Sequence, residues 1–266
     1  MKKRIISAIV MLIILVPLIL AGGMWFNIGL YVVALLALKE FLDIKASKKP
    51  IPSFIRFIAY VFITLLILVG INSNGNVYTL DYKLLTSLVI LFLFPTVLYH
   101  ERKKYSINDA FYLIGGILFL GASLSLFIAV REIGLKIFIF LIAIPVITDI
   151  FAYVTGMLIG KHKLLPAISP NKTWEGLIGG TIFSVFACSL FYYTCIDSEV
   201  SKVLLLLVCT FLSIIGQFGD LVFSAIKRYF GKKDFSNLIP GHGGVLDRLD
   251  SIIFVMLGFT LFINIL

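Results

Sequence analysis

Apolar residues run along the chain in long stretches that are separated by short polar segments. A transmembrane helix needs roughly 17–25 apolar residues. Nine stretches meet or approach this length, at residues 5–22, 24–38, 57–72, 84–99, 110–130, 137–160, 176–196, 203–226 and 251–266. The second, fourth and ninth are marginal in length. The pattern therefore predicts an all-α fold, a polytopic transmembrane helix bundle of about nine spans.

Two polar segments differ from the other connections. Residues 161–175 and 227–250 hold most of the polar side chains with functional potential, whereas residues 72–83 are Asn- and Gly-rich turn sequence. We therefore predict N-terminal transmembrane helices over residues 1–136. A catalytic transmembrane region is predicted over residues 137–266, with 161–175 and 227–250 as its cytoplasmic loops.

The composition supports a lipid environment. Hydrophobic residues make up 60% of the chain and charged residues 14%, and the mean hydropathy is +1.08. A soluble domain has about 45–50% apolar and about 25% charged residues.

The N-terminus, three basic residues and then an apolar run, resembles a signal peptide. That run is long for such a peptide and lacks a clear cleavage site, so a retained first helix is predicted.

The formal charge of +9 has two explanations that can both hold: basic loops on the cytoplasmic side, and a polyanionic substrate. An N-terminus inside the cell places 19 of the 23 Lys and Arg residues on the cytoplasmic side. It leaves Lys83, Arg131, Lys136 and Lys202 outside. We therefore predict a multi-pass protein of the inner (plasma) membrane with its site facing the cytoplasm. No nucleic-acid partner is expected, because the basic residues form no continuous patch.

Two acidic residues lie within apolar stretches, Asp149 and Asp220. An aspartate at the centre of a transmembrane helix costs about 2.5–3.5 kcal/mol on insertion scales. A structural pair with a neighbouring helix would account for such a residue, but a functional site is the stronger hypothesis. Asp220, Ser224 and Lys227 have the spacing i, i+4 and i+7, which places them on one helix face.

The loop at 227–250 combines cations, acids and glycines. Gly241, Gly243 and Gly244 surround His242, and backbone of this kind can approach phosphate oxygens closely, although a flexible connection is the more common explanation of a glycine-rich loop. Asp247 and Asp250 share a helix face if the last helix begins early. Clustered carboxylates favour a hard cation such as Mg²⁺. Zinc is not supported, because the chain has no H-x-x-x-H pattern and its three scattered cysteines fit small core residues.

The loop at 161–175 contains a predicted helix start. Ser169 is expected to be the N-cap and Pro170 the first helical residue. A helix N-terminus with Lys172 in its first turn would bind an anion. A plain capped helix with a lysine reaching to solvent explains the same residues equally well.

Three segments of the C-terminal half form one pattern: Ser224–Arg228, Lys233-Asp234 and Pro240–Asp250. In its residues and internal spacing, this pattern resembles the signature of the phosphatidate cytidylyltransferase (CDP-diacylglycerol synthase) family. Two further parts resemble family motifs: Asp149 with Ala152, Tyr153 and Gly156, and the segment Ser169–Thr173 with Glu175 and Gly176. Together these parts cover about residues 145–250.

The resemblance implies a reaction in which CTP and phosphatidate give CDP-diacylglycerol and pyrophosphate, in a membrane lipid environment. It implies Asp220 and Asp247 as Mg²⁺ ligands, to which we add Asp250, and leaves open further ions, K⁺ and a homodimer. The expected catalytic residues are Asp220, Asp247, Lys227 and Arg228. The expected substrate-binding residues are Ser169, Asn171, Lys172, Thr173, Ser224, Lys233, His242, Gly243, Gly244 and Arg248.

Two other functions are considered. A CDP-alcohol phosphotransferase is also a membrane enzyme with an aspartate-rich metal site, but its pattern begins with an Asp-Gly pair and this chain contains none. A membrane anion transporter would explain the helices and the intramembrane acids. It would not explain the polar loop at 227–250.

Overall fold

The computed structural model describes residues 2–72, 82–99, 104–196 and 199–263. Within them the chain forms nine α-helices and one β-hairpin. In chain order these are α1 (Lys2–Ala21), α2 (Gly23–Ala46), α3 (Ser53–Asn72), α4 (Tyr82–Leu98), α5 (Ile107–Ile133), α6 (Leu135–Ile159), β1 (Lys163–Leu165), β2 (Ser169–Thr173), α7 (Trp174–Cys195), α8 (Lys202–Tyr229) and α9 (Leu246–Phe259). The all-α prediction is confirmed, and the hairpin is an addition to it.

Seven of the described helices are long and apolar enough to cross a membrane: α1, α2, α3, α5, α6, α7 and α8. The chain is accordingly a membrane protein. Helix α4 has 17 residues and α9 has 14, so the stretches predicted at 84–99 and 251–266 form shorter helices. Helix α9 begins at Leu246 and ends at Phe259, and residues 264–266 of that predicted span lie outside the described residues.

Contacts divide the chain into two compact units. The first contains residues 1–132 and 234–246, and the second contains residues 133–233 and 247–266. The segment 234–246 thus groups with the N-terminal helices, whereas its sequence predicted a place in the C-terminal region. The functional division near residue 136 stays a prediction.

In the first unit, charged side chains hold helix ends together. The Arg131 guanidinium donates to the carbonyl oxygens of Ile19 (2.8 Å) and Leu20 (3.2 Å), at the end of α1. A cation at that position stabilises the C-terminus of a helix. At the other end of α5, Asp109 is paired with Lys45 (2.5 Å) and Lys49 of α2. These contacts connect α5 to both α1 and α2.

In the second unit, glycines let α6 and α7 approach closely. A Cβ on Gly176 would lie 2.7 Å from the carbonyl oxygen of Ala152, and one on Gly180 would lie 2.6 Å from that of Thr148. Small residues spaced four apart commonly allow such approach between membrane helices. Helix α6 continues through Pro145 without a break.

The predicted helix start at Ser169 is wrong. Residues Ser169–Thr173 form strand β2, which pairs antiparallel with β1, and α7 begins only at Trp174. The N-cap is Thr173, whose Oγ1 accepts a hydrogen bond from the Gly176 N–H at 3.1 Å. The extended backbone that Pro170 imposes on Ser169 suits a strand as well as an N-cap, and the pairing of Ser169 with Leu165 and of Thr173 with Lys163 extends the strand to Thr173. Lys172 therefore lies on a strand and not in a helical turn.

The last loop is shorter than predicted. Helix α8 continues to Tyr229 and α9 begins at Leu246, so the connection comprises residues 230–245. The early start of the last helix is thereby confirmed, and Asp247 and Asp250 both lie on α9. Helix α9 packs on α8, where a Cβ on Gly219 would lie 2.7 Å from Phe254. Residues 73–81 of the predicted loop at 72–83, and the basic residues Arg102 and Lys103, lie outside the described residues.

Candidate active site

A stripe of polar side chains runs along one face of α8. It comprises Ser213, Gln217, Asp220, Ser224 and Lys227, whose spacing of three or four residues keeps them on one side of the helix. The Ser224 hydroxyl donates to Asp220 Oδ1 at 3.4 Å, and the Gln217 amide donates to the Thr181 hydroxyl of α7 at 3.0 Å. This face of α8 is therefore the surface that charged residues from other elements of the second unit contact.

The hairpin contributes a lysine to this stripe. Strand β2 carries Lys172, whose Nζ lies 2.6 Å from Asp220 Oδ2 and 3.4 Å from the backbone oxygen of Gln217. The side chain of Lys172 is about one quarter exposed. The loop at 161–175 and helix α8 therefore meet at a Lys–Asp pair that an incoming anion can reach.

A second pair joins α8 to α9. Lys227 Nζ lies 2.6 Å from Asp247 Oδ1, and both residues are buried, at 7% and 8% exposure. Removing one partner of such a buried pair typically costs about 3–5 kcal/mol, because the other charge stays buried. Each residue of this pair therefore fixes the position of the other.

Asp220 has an acidic neighbour as well as a basic one. The carboxyl groups of Asp220 and Asp250 are neighbours that interact with each other. Burial, and after it the negative charge of Asp220, raises the pKa of Asp250 to about 7, although the Ser251 N–H at 2.8 Å acts in the opposite direction. Two carboxyl groups in such contact require a proton or a cation between them.

Asp149 of α6 belongs to the same electrostatic group. It interacts with Lys172, Asp220 and Arg248. Arg248 itself is exposed on the first turn of α9. Four elements of the second unit, α6, β2, α8 and α9, thus contribute charged side chains to one cluster, which we call the acid–lysine cluster: Asp149, Lys172, Asp220, Lys227, Asp247 and Asp250.

A cavity of about 320 Å³ lies beside this cluster. Its walls come from α6, the hairpin, α7 and α8. The lining residues are Asp149, Ala152, Tyr153, Gly156, Met157, Leu164, Asn171, Lys172, Thr173, Gly176, Leu177 and Gln217. Asp149 and Lys172 belong to both the cavity and the cluster, so a ligand in the cavity would contact charges of both signs.

The remaining residues predicted for the second unit have different surroundings. Arg228 is exposed and donates to the carbonyl oxygens of Ile168 (3.3 Å) and Lys232 (3.0 Å), which connects the end of α8 to the hairpin turn. Ser169 pairs with Leu165 in the hairpin, and the Thr173 side chain caps α7. Lys233 is exposed in the loop after α8. Their functional roles stay predictions.

The glycine-rich segment belongs to the first unit and forms a tight turn there. The amide N–H of His242 donates to the Ile239 oxygen at 2.9 Å, and Gly241 and Gly243 have left-handed φ values of 79° and 85°. The His242 Nδ1 lies 2.8 Å from the hydroxyl of Ser7, which also donates to the Pro240 oxygen. Helix α1 therefore fixes the orientation of the His242 ring. Gly244 has an ordinary φ and approaches Glu40 of α2.

The carboxylates of the cluster provide oxygen donors of the kind that Mg²⁺ prefers. No three His, Cys, Asp or Glu side chains lie together as a metal site in the described part of the chain. Mg²⁺, however, is usually bound by only one or two carboxylates together with waters and substrate phosphates. Asp220 and Asp250 are two neighbouring carboxylates, which is the number that a Mg²⁺ site usually takes from the protein. These oxygen donors therefore fit the ion.

Sequence reasoning omitted several residues that line or support the site. Gln217 extends the polar stripe of α8 by one turn, and its spacing to Asp220 would have revealed it. The sequence marks Asp149 as unusual, but only the structure shows that it lines the cavity with Lys172 and interacts electrostatically with Lys172 and Asp220.

Comparisons with known proteins agree with these observations. The sequence model of the cytidylyltransferase family matches residues 2–266. A phosphatidate cytidylyltransferase of Staphylococcus haemolyticus is 39% identical over 258 residues, which is 96% of both chains. Proteins with the same name from Staphylococcus epidermidis and Staphylococcus aureus are 38% and 37% identical, again over 96% of each chain.

Proposed function

The chain belongs to the cytidylyltransferase family, and on this basis we propose that it is a phosphatidate cytidylyltransferase that converts CTP and phosphatidate to CDP-diacylglycerol and pyrophosphate. As a family member it is a nucleotidyltransferase. Its apolar helices suit a lipid substrate. No finding favours a CDP-alcohol phosphotransferase or an anion transporter.

The observation that carries this proposal is the acid–lysine cluster beside a cavity. Lys172 lines the cavity and lies 2.6 Å from Asp220, so a cation is already held where a phosphate would bind, and Lys227 lies 2.6 Å from Asp247 in the same cluster. Asp220 and Asp250 provide oxygen donors at the same place. A reaction between two anionic phosphates requires both kinds of group, since their mutual repulsion is the main obstacle.

The reaction itself needs little from the protein beyond positioning. An oxygen of the phosphatidate phosphate attacks the α-phosphorus of CTP, a new P–O–P linkage forms, and the bond to the β-phosphate breaks to release pyrophosphate. The second pKa of a phosphate monoester is about 6, so the attacking group is already largely a dianion at neutral pH. No side chain is required as a general base.

The lysines and the cavity then have defined tasks. Lys172 is partly exposed and lines the cavity, so we assign it to a phosphate of CTP. Lys227 is more deeply buried, and we assign it to orienting Asp247. Arg228, Arg248 and Lys233 are exposed cations that would attract the two anionic substrates.

Asp220, Asp247 and Asp250 are the residues that would hold Mg²⁺. When bound, the ion would supply positive charge to the phosphate oxygens and to the departing pyrophosphate. We further propose that the site faces the cytoplasm, where CTP is found, and that the protein is located in the plasma membrane with its N-terminus inside.

The proposal is tested with the purified protein in mixed micelles by measuring pyrophosphate release. We expect release only when CTP, phosphatidate and Mg²⁺ are all present. A CDP-alcohol phosphotransferase would instead use CDP-diacylglycerol and an alcohol and release CMP. Pyrophosphate release that does not depend on phosphatidate, or release of CMP instead, would overturn the assignment.

A further inference from the structure

Glu40 is a buried acid in a helix that contributes none of the predicted site residues. It lies on α2, which is long and apolar enough to span a membrane, and only 3% of the residue is exposed. A buried carboxylate is costly unless hydrogen-bond donors surround it. The contacts of Glu40 should therefore show which donors stabilise its buried carboxylate.

Among the described residues, the segment 234–246 supplies three hydrogen bonds to Glu40. Its Oε1 accepts from the Ser236 hydroxyl at 2.6 Å and from the Val245 N–H at 2.8 Å. Its Oε2 accepts from the Leu246 N–H at 2.9 Å. The carboxylate thus binds both the beginning and the end of this segment.

Gly244 is small because Glu40 occupies the adjacent space. A Cβ at Gly244 would lie 2.5 Å from both carboxylate oxygens. The backbone of Gly244 does not have the left-handed conformation found at Gly241 and Gly243. The absence of a side chain at position 244 is therefore explained by the close approach of Glu40 and not by backbone conformation.

The Leu246 N–H belongs to the first residue of α9. The first N–H groups of a helix have no partners within the helix, and a negative charge placed there is stabilising. Glu40 supplies both the acceptor and the charge from a different helix. The next residue along the chain is Asp247, in the first turn of α9, and Asp250 follows three residues later on the same helix.

We propose that Glu40 is a positioning residue for nucleotidyl transfer, which fixes the start of α9 and thereby the placement of Asp247 and Asp250. This inference rests on the proposed function. It assigns Glu40 no contact with a substrate or an ion. Its effect passes through the two N–H groups that it binds.

The first test compares Glu40→Gln with Asp109→Asn. Asp109 is a matched control, because it is also a buried acid of the first unit and is held by Lys45 and Lys49. Hydrogen–deuterium exchange of the peptide covering residues 243–250 is measured in detergent. We expect faster exchange in Glu40→Gln and wild-type exchange in Asp109→Asn. Equal exchange of this peptide in wild type and Glu40→Gln would overturn the proposal.

The second test measures the Mg²⁺ concentration that gives half-maximal activity. Changes in groups that orient metal ligands commonly cost about 10- to 100-fold in metal affinity or activity. We expect a change of this size in Glu40→Gln and none in Asp109→Asn, even when both lower thermal stability. If wild type is active and both variants keep its Mg²⁺ dependence, Glu40 is merely structural. If wild type is inactive with CTP and phosphatidate, the proposed function fails instead.

The third test is a double-mutant cycle between positions 40 and 244. Gly244→Ala should reproduce the loss seen in Glu40→Gln, because the added methyl group displaces the carboxylate. In a Glu40→Ala background, the same methyl group should cost much less, since the space is then free. Additive effects of the two changes on kcat would contradict the proposed coupling. Gly244→Ala retains Glu40, so this arm remains informative if Glu40→Ala does not fold.

Discussion

Each lysine at the centre of the proposed site is paired with an aspartate. Lys172 pairs with Asp220 and Lys227 with Asp247, both at 2.6 Å. The two pairs differ in burial, since Lys172 is partly exposed whereas Lys227 is almost completely buried. We therefore expect an incoming phosphate to replace Asp220 as the partner of Lys172, while the Lys227–Asp247 pair stays intact.

This difference predicts separate effects on stability and activity. Asp247→Asn should lower the free energy of unfolding by about 3–5 kcal/mol, because Lys227 keeps its buried charge without the carboxylate. Adding Lys227→Met should restore much of that stability but none of the activity. Thermal unfolding in detergent and the phosphatidate-dependent rate measure the two effects. Recovery of activity in the double variant would show that Asp247 has no catalytic role.

His242 tests the argument that no general base is needed. Its Nδ1 already lies 2.8 Å from the Ser7 hydroxyl, so the ring has a structural contact. We expect His242→Gln to keep a measurable fraction of wild-type activity, well above that of Asp220→Asn, with an unchanged pH–rate profile. If His242→Gln binds CTP normally and is as inactive as Asp220→Asn at every pH, His242 is the proton acceptor or a metal ligand.

The β-hairpin is the element that brings Lys172 to the polar stripe of α8. Because Lys172 and Lys163 lie on opposite strands of the same hairpin, they provide a matched pair. Lys172 contacts Asp220, whereas Lys163 is exposed at the start of β1.

Lys172→Ala should raise the KM for CTP about 10- to 100-fold, since a hydrogen bond to a charged group is worth about 1.5–3 kcal/mol. Lys163→Ala should leave KM and kcat unchanged. Steady-state kinetics at saturating phosphatidate distinguish the two. Equal effects of both changes would mean that the general charge of the hairpin matters and not the contact with Asp220.

Sequence reasoning identifies the helices better than it identifies their ends. The polar stripe of α8 follows from helical spacing alone, so the sequence is sufficient to place Asp220, Ser224 and Lys227 on one face. It is not sufficient for the hairpin, because the Ser-Pro pair at 169–170 is compatible with both a helix start and a strand. Glu40 is missed for another reason: its partners lie about 200 residues further along, and local spacing carries no such information.

The whole chain combines an N-terminal unit with a C-terminal unit that carries the acid–lysine cluster. The predicted orientation places the polar loops on the cytoplasmic side and the residues before α8 outside. Helix α8 has 28 residues, which corresponds to a length of about 42 Å, enough to cross a bilayer. Its two ends should therefore be accessible from opposite sides.

Single cysteines at Lys202 and Lys232 test this topology, in a background where Cys188, Cys195 and Cys209 are replaced by serine or alanine. Both target positions are exposed in the structure. In intact cells, a membrane-impermeant maleimide should label the cysteine at 202, whereas the cysteine at 232 should react only after permeabilisation. Labelling of both positions in intact cells would refute the proposed orientation.

The central claim is that the acid–lysine cluster transfers the cytidylyl group of CTP to phosphatidate. The most direct measurement incubates purified protein with CTP labelled at the α-phosphate, phosphatidate and Mg²⁺, and follows the label into chloroform-soluble lipid. Wild type should incorporate the label, and Asp220→Asn, although folded and inserted in the membrane, should incorporate none. Label that stays entirely in the aqueous phase with wild type, or near-normal incorporation by Asp220→Asn at saturating Mg²⁺, would contradict this account.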